Sequence, residues 1–261
     1  LDVESDSAKI TRKTKILKNN IYGVDLDPKA VEIAQLNLLL KAAETKHRLP
    51  DLRENIKCGN SLIDDPMVAG ERAFDWNKEF EDIMKNGGFD VIIGNPPWVS
   101  IKGKQKSIDL PENVLHYLLE KYHCDTYRPN MFEMFIWRGL QLVKEGGYFA
   151  FIVPDRLCYN GQFVDLRKHI LENFALRKLW FKPVFEGIIS DTVIFIIKKE
   201  RASEKAFVQV AEYPSVEFKS IPIRAYKDTS DSAWFIVNEI IFNIFENIRE
   251  KKDVFSLGTI F

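Results

Sequence analysis

The stretch PNMFEMFIWRGLQLVKEGGYFAFIVP, residues 129–154, constrains the fold more than any other. Its first half has helical spacing, KEGG reads as a turn, and the apolar run that follows reads as a buried strand. The pattern repeats along the chain. GGFDVIIG (87–94) is a strand entered through a glycine turn, GQFVDLRKHILENF (161–174) an amphipathic helix, and ALRKLWF (175–181) and SDTVIFIIKK (190–199) two more strands. Alternating helices and near-continuous apolar strands predict an open α/β sheet with helices on both faces.

Upstream, IYGVDLDP (21–28) is a short apolar run ending in acid. AVEIAQLNLLLKAA (30–43) follows as a helix on which Val31, Ala34, Leu38 and Ala42 share a face, with Asp27 as N-cap and Pro28 as first helical residue. NIKCGNSLID (55–64) is a short strand and loop, and residues 74–86 and 112–123 read as helices. Residues 1–20, with five Lys/Arg from Lys9 to Lys18 and little apolar periodicity, read as a basic linker. Three parts result: the linker 1–20, a catalytic domain 21–200, and a connector 201–261 that holds a possible strand FVQVAEY (207–213) and an amphipathic helix AWFIVNEIIFNIFENIREKK (233–252).

Composition excludes little, but some exclusions matter. A net charge of -1 means that a nucleic-acid partner has to be met by a local basic patch. No apolar run reaches membrane-spanning length, so no membrane partner is expected. Three cysteines, Cys58, Cys124 and Cys158, form no CxxC pair; they fit a reducing, cytoplasmic compartment, and no metal is expected.

The chemistry lies in GNPPW (94–98). In an open α/β sheet ligands bind beyond the carboxyl ends of the strands. Two consecutive prolines stiffen the bend and remove backbone donors, which directs Asn95 and Trp98 and leaves carbonyls unpaired. The Asn95 amide oxygen and the Pro96 carbonyl make a pair of acceptors for one planar NH₂ group, and Trp98 offers a flat face for a base. Two acceptors on the adenine exocyclic amine favour a pyramidal nitrogen, whose lone pair can attack an electrophile.

With these residues the chain resembles the N6-adenine DNA methyltransferases that use S-adenosylmethionine (SAM), and most closely the methylase region of type IIG restriction–modification enzymes. The resemblance runs from about Ile21 to Lys199. It implies a Rossmann-like class I sheet, with Asn95, Pro96, Pro97 and Trp98 catalytic. It implies that Asp25, in IYGVDLDP, binds the SAM ribose hydroxyls. Asn60 and Leu62, in CGNSLID, would meet the SAM adenine; an asparagine that merely shapes a turn is the other reading of Asn60. In PNMFEMFIW the aromatic start of the helix would line the pockets, although Asn130 also suits an N-cap and Phe132 and Phe135 suit a core. Phe185, in VFEGIISDTVIFII, would stack with Trp98 on an adenine flipped out of double-stranded DNA. Lys102, Lys104 and Lys106, in IKGKQK, would meet phosphates.

One departure stands out. The family's glycine-rich SAM loop and its first, central strand should precede IYGVDLDP, and residues 1–20 hold neither. The chain, which begins at Leu1, therefore reads as part of a longer protein and is expected to have little SAM affinity alone. A target-recognition region is expected to follow, and a nuclease module to lie elsewhere in the parent. Methylation of a protein glutamine or an RNA adenine, and a non-catalytic DNA-binding remnant, remain as alternatives.

Overall fold

The computed structural model describes residues 6–42, 50–102, 108–124, 126, 128–184, 191–229 and 231–236. They fall into two compact units. One runs to Lys85 and includes Pro111–Lys121; the other takes Asn86–Leu110 and continues from Tyr122.

The first unit contains α1 (Asp6–Asn20), β1 (Gly23–Asp25), α2 (Pro28–Ala42), β2 (Ile56–Cys58), the short helices α3 (Pro66–Ala69), α4 (Trp76–Glu79) and α5 (Glu81–Lys85), and α6 (Glu112–Lys121). β1 and β2 pair in parallel, Asp25 opposite Cys58, so the carboxyl ends of both strands share one edge. Residues 6–20 are helical, an element that the reading of residues 1–20 as a linker did not include. The basic residues hide a short contact face: Leu17 is buried with Leu52 against Ile21, Leu38 and Leu39. α2 begins as its sequence dictates, with Asp27 Oδ1 accepting from Lys29 N–H at 2.9 Å. Val31 on its expected face is buried, while Ile33, Leu36 and Leu40 on the other side are exposed. The loop after β2 is tied to α6, since Tyr117 Oη donates to Asp64 Oδ1 at 2.6 Å and Lys121 Nζ lies 2.5 Å from the same oxygen.

The second unit is built on a six-stranded sheet in the order β3-β4-β6-β5-β7-β8. Its strands are β3 (Phe89–Gly94), β4 (Val143–Pro154), β5 (Ala175–Phe181), β6 (Thr192–Lys198), β7 (Phe207–Glu212) and β8 (Lys219–Pro222). β3 and β4 are parallel, with Gly94 opposite Phe151, whereas β6 lies antiparallel between β4 and β5. Alternate side chains of β4, β5 and β6 enter one core, among them Phe149, Val153, Leu179, Val193 and Phe195. α7 (Met131–Leu142) and α9 (Val164–Asn173) supply Phe132, Ile136, Leu140, Leu166 and Ile170 to it; α8 (Arg156–Tyr159) and α10 (Arg224–Lys227) are single turns. A Cβ on Gly139 would stand 2.2 Å from Phe149 Cε2, so glycine permits α7 to seat this closely on β4.

GGFDVIIG reads as a core strand, and here the structure differs. Val91 and Ile93 are 56% and 76% exposed. With Tyr148 they occupy the sheet face opposite the core, and among the described residues β3 pairs only with β4. The glycine turn is as expected: Gly88 has φ +115°, and a Cβ there would meet the Leu142 carbonyl oxygen at 2.2 Å. KEGG does not end one element and begin another. It is an irregular stretch inside β4, absorbed as a register shift against β3. The helix expected over 233–252 lies mostly outside the described residues; Ala233 to Ile236 are not helical.

Candidate active site

The corner leaves β3 where the register with β4 ends. Asn95 is exposed, Pro96 buried, Pro97 exposed and Trp98 half-buried. Among the described residues neither the Asn95 amide nor the Pro96 carbonyl has a hydrogen-bond partner. Trp98 packs against the core, and among the described residues its buried indole N–H has no acceptor. Such an orphaned donor costs on the order of 1–3 kcal/mol until a partner reaches it.

What fixes the corner is a short antiparallel pairing after it. Met131 N–H donates to the Val99 carbonyl at 2.9 Å, Ile101 N–H to the Pro129 carbonyl at 3.2 Å, and Ser100 faces Asn130. Asn130 is buried and caps α7, its Oδ1 accepting from Phe132 N–H at 3.4 Å. The start of α7 therefore anchors the loop that follows NPPW. Phe132 is wholly buried and packs on Phe163 at 5.2 Å, so it belongs to the core; Phe135 is half-buried against the same core.

In the first unit Asp25 is exposed at the end of β1. Its Oδ1 accepts from Asp27 N–H at 2.8 Å, and Gly59 N–H donates to its backbone carbonyl at 2.9 Å. An exposed carboxylate at a strand's carboxyl end suits two ribose hydroxyls. The Asn60 Oδ1 accepts from Leu62 N–H at 3.1 Å, the turn-shaping role. Leu62 is 2% exposed and as it stands presents little surface to a ring. Lys102 is half-buried beyond Trp98, with Ser100 Oγ donating to its carbonyl. Lys104, Lys106 and Phe185 lie outside the described residues.

Sequence reading passed over a buried acid close to the corner. Glu133, 4% exposed, occupies the first turn of α7. Burial pushes its carboxyl up to about 8, against smaller opposing effects of hydrogen bonds from Cys124 and Gln162. The available signal was an acid flanked by Phe132 and Met134 on an apolar helix start. Because the folded value exceeds the ordinary one, the native state holds the extra proton. Stability is complete below about pH 4.5 and falls as pH rises to about 8. Glu133→Gln should flatten this dependence. Amide exchange of α7 in the whole protein at pH 5 and pH 9 reads it; an equal pH response in both proteins would contradict it.

The same fold recurs in solved structures. The chain is similar to DrdV in its DNA complex, with a TM-score of 0.62 and 14% identity, covering 90% of this chain and 26% of that one. It is also similar to the type IIG restriction endonuclease BpuSI, with a TM-score of 0.51 and 14% identity over 95% of this chain and 33% of that one. The sequence model of the Eco57I restriction-modification methylase family matches residues 19–185, and the chain belongs to that family.

Two curated relatives agree. The chain is 31% identical over 265 aligned residues to the type II restriction enzyme and methyltransferase RM.Eco57I of Escherichia coli, an alignment that covers 95% of this chain. It is 30% identical over 157 residues, 57% of its length, to the putative type II restriction enzyme and methyltransferase RM.MjaORFECS2P of Methanocaldococcus jannaschii. It spans 26% of the first and 12% of the second.

Proposed function

We propose that the protein containing this chain transfers a methyl group from SAM to the exocyclic N6 of adenine in double-stranded DNA, as the modification activity of a restriction–modification system. The observation that carries this reading is the exposed Asn95 amide, without an internal partner among the described residues, on a proline-stiffened corner at the carboxyl end of β3. Asn95 Oδ1 and the Pro96 carbonyl accept the two amine hydrogens of the flipped base. Withdrawal of those hydrogens toward two oxygens turns the nitrogen lone pair out of the ring system. No covalent protein intermediate is required. Trp98 and Phe185 hold the base by stacking, and Lys102, Lys104 and Lys106 meet phosphate.

SAM supplies the electrophilic methyl group when bound. In this chain Asp25 would hold its ribose, and Asn60 and Leu62 would contact its adenine. The exposed Asp25 carboxylate fits that role, whereas the burial of Leu62 requires the loop to open before it could cover a ring. Residues 21–200 would form the catalytic domain, and 201–261 the connector to a target-recognition region. A nuclease module elsewhere in the longer protein accords with RM.Eco57I, a restriction enzyme and methyltransferase in one chain. A protein that modifies genomic DNA would work in the cytoplasm.

The reading is tested by sequencing native genomic DNA from cells with and without the full gene. A modified adenine at one recurring site, present only with the gene, is expected. Unmodified adenines in an expressing strain would overturn the reading.

A further inference from the structure

Arg156 stands directly beyond the carboxyl end of β4, the strand that pairs in parallel with β3. Gly94 faces Phe151, so the NPPW corner and the Pro154-Asp155-Arg156 turn leave adjacent strands at the same edge of one sheet. The guanidinium lies 5.5 Å from the centre of the Phe132 ring, and Phe132 follows the Asn130 cap that pairs with Ser100 behind Trp98. Among the described residues Arg156 Nε is buried without a hydrogen-bond partner, and the side chain forms no ion pair. The neighbouring acid, Asp155, accepts from the Tyr159 hydroxyl at 3.0 Å. A half-buried guanidinium with an unmatched Nε donor gains from an incoming acceptor.

We propose that Arg156 is a phosphate anchor for the DNA strand that carries the target adenine, holding the backbone next to the extruded nucleotide. The proposal rests on the methylation reading above. A guanidinium fork on an aromatic ring is suited to a phosphate, because the ring fixes its plane and the N–H groups project in parallel. Burial is the main influence lowering the affinity of Arg156 for its proton, and the positive charge of Arg128 acts in the same direction. An anion at this place relieves both effects. The contact carries no sequence information; it sets where along the backbone the corner acts.

The test uses the whole protein as wild type, Arg156→Gln and Arg156→Lys, with duplexes that contain or lack its own methylation site. Arg156→Gln should weaken binding by about tenfold on both duplexes and lower the slope of log affinity against log salt by about one. Arg156→Lys, which keeps the charge over Phe132, should keep the slope. A neutral methylphosphonate beside the target adenine should weaken the wild type and leave Arg156→Gln unaffected. A methylating wild type whose Arg156→Gln variant keeps the full salt slope overturns the anchor and leaves the methylation reading standing. The anchor is equally overturned if the variant loses SAM affinity while its salt slope holds, since the cation would then serve the cofactor carboxylate. A wild-type protein that neither binds nor methylates duplex DNA overturns both.

Discussion

Asn95→Ala in the whole protein removes methylation and leaves DNA binding within about twofold. The expected loss in single-turnover rate is about 10²- to 10⁴-fold, the range found when one preorganised polar group is removed from a reacting centre. The argument is local. Asn95 is exposed, and among the described residues its amide supports no other part of the fold, so truncation should not disturb stability. Its oxygen acts on the amine only as the nitrogen becomes pyramidal, so the loss should fall on the chemical step and not on ground-state affinity. Rapid-quench methylation beside an equilibrium binding titration separates the two. Wild-type turnover in Asn95→Ala would move catalysis away from the corner.

The second large effect is on stability. Arg167 on α9 is wholly buried, and its guanidinium donates to four backbone carbonyls. Nη1 reaches the Leu157 and Asn160 carbonyls at 2.8 Å each, Nη2 reaches Asp231 at 2.8 Å, and Nε reaches Ser232 at 3.2 Å. The residue joins α8, α9 and the segment that leads to the buried Trp234, whose backbone N–H donates to the Cys158 carbonyl at 2.7 Å. Arg167→Met keeps the apolar stem and orphans the carbonyls. A loss on the order of 3–5 kcal/mol is expected, seen as a lower Tm. The opposite outcome, a Tm within a degree or two of wild type, would show that water replaces the guanidinium without cost.

These two residues also show which features can be read along a chain. Asn95 can be picked out along the chain because what marks it lies in its immediate neighbours: a strand before it, two prolines after it, then an aromatic. The Asp27 cap, the acidic end of β1 and the glycine turn before β3 are local in the same sense. Arg167 is not legible. In GQFVDLRKHILENF it falls among charged residues and looks solvated, because two of the carbonyls it serves lie 64 and 65 residues away. Arg156 is hidden for the same reason, whereas Glu133 had a local signal, an acid on an apolar helix start. α1 is obscured by its lysines, which leave Leu17 as a small apolar anchor, and β8 and α10 are too short for periodicity to register. Strand order needs pairing information that no hydrophobic pattern contains. That β6 runs antiparallel between β4 and β5 follows only from the ladders.

The exposed apolar run of β3 is the instructive mismatch. FDVIIG has the composition of a strand covered on both faces, and among the described residues only the side carrying Ile92 meets the core. Composition reports the environment for which a strand is suited, which these residues alone do not complete.

The most direct measurement is nucleoside mass spectrometry of duplex DNA treated with the whole protein and isotopically labelled SAM. The label should appear on the exocyclic nitrogen of adenine and disappear with Asn95→Ala. Label on cytosine, or on any ring carbon, would contradict an amine held between the Asn95 and Pro96 oxygens.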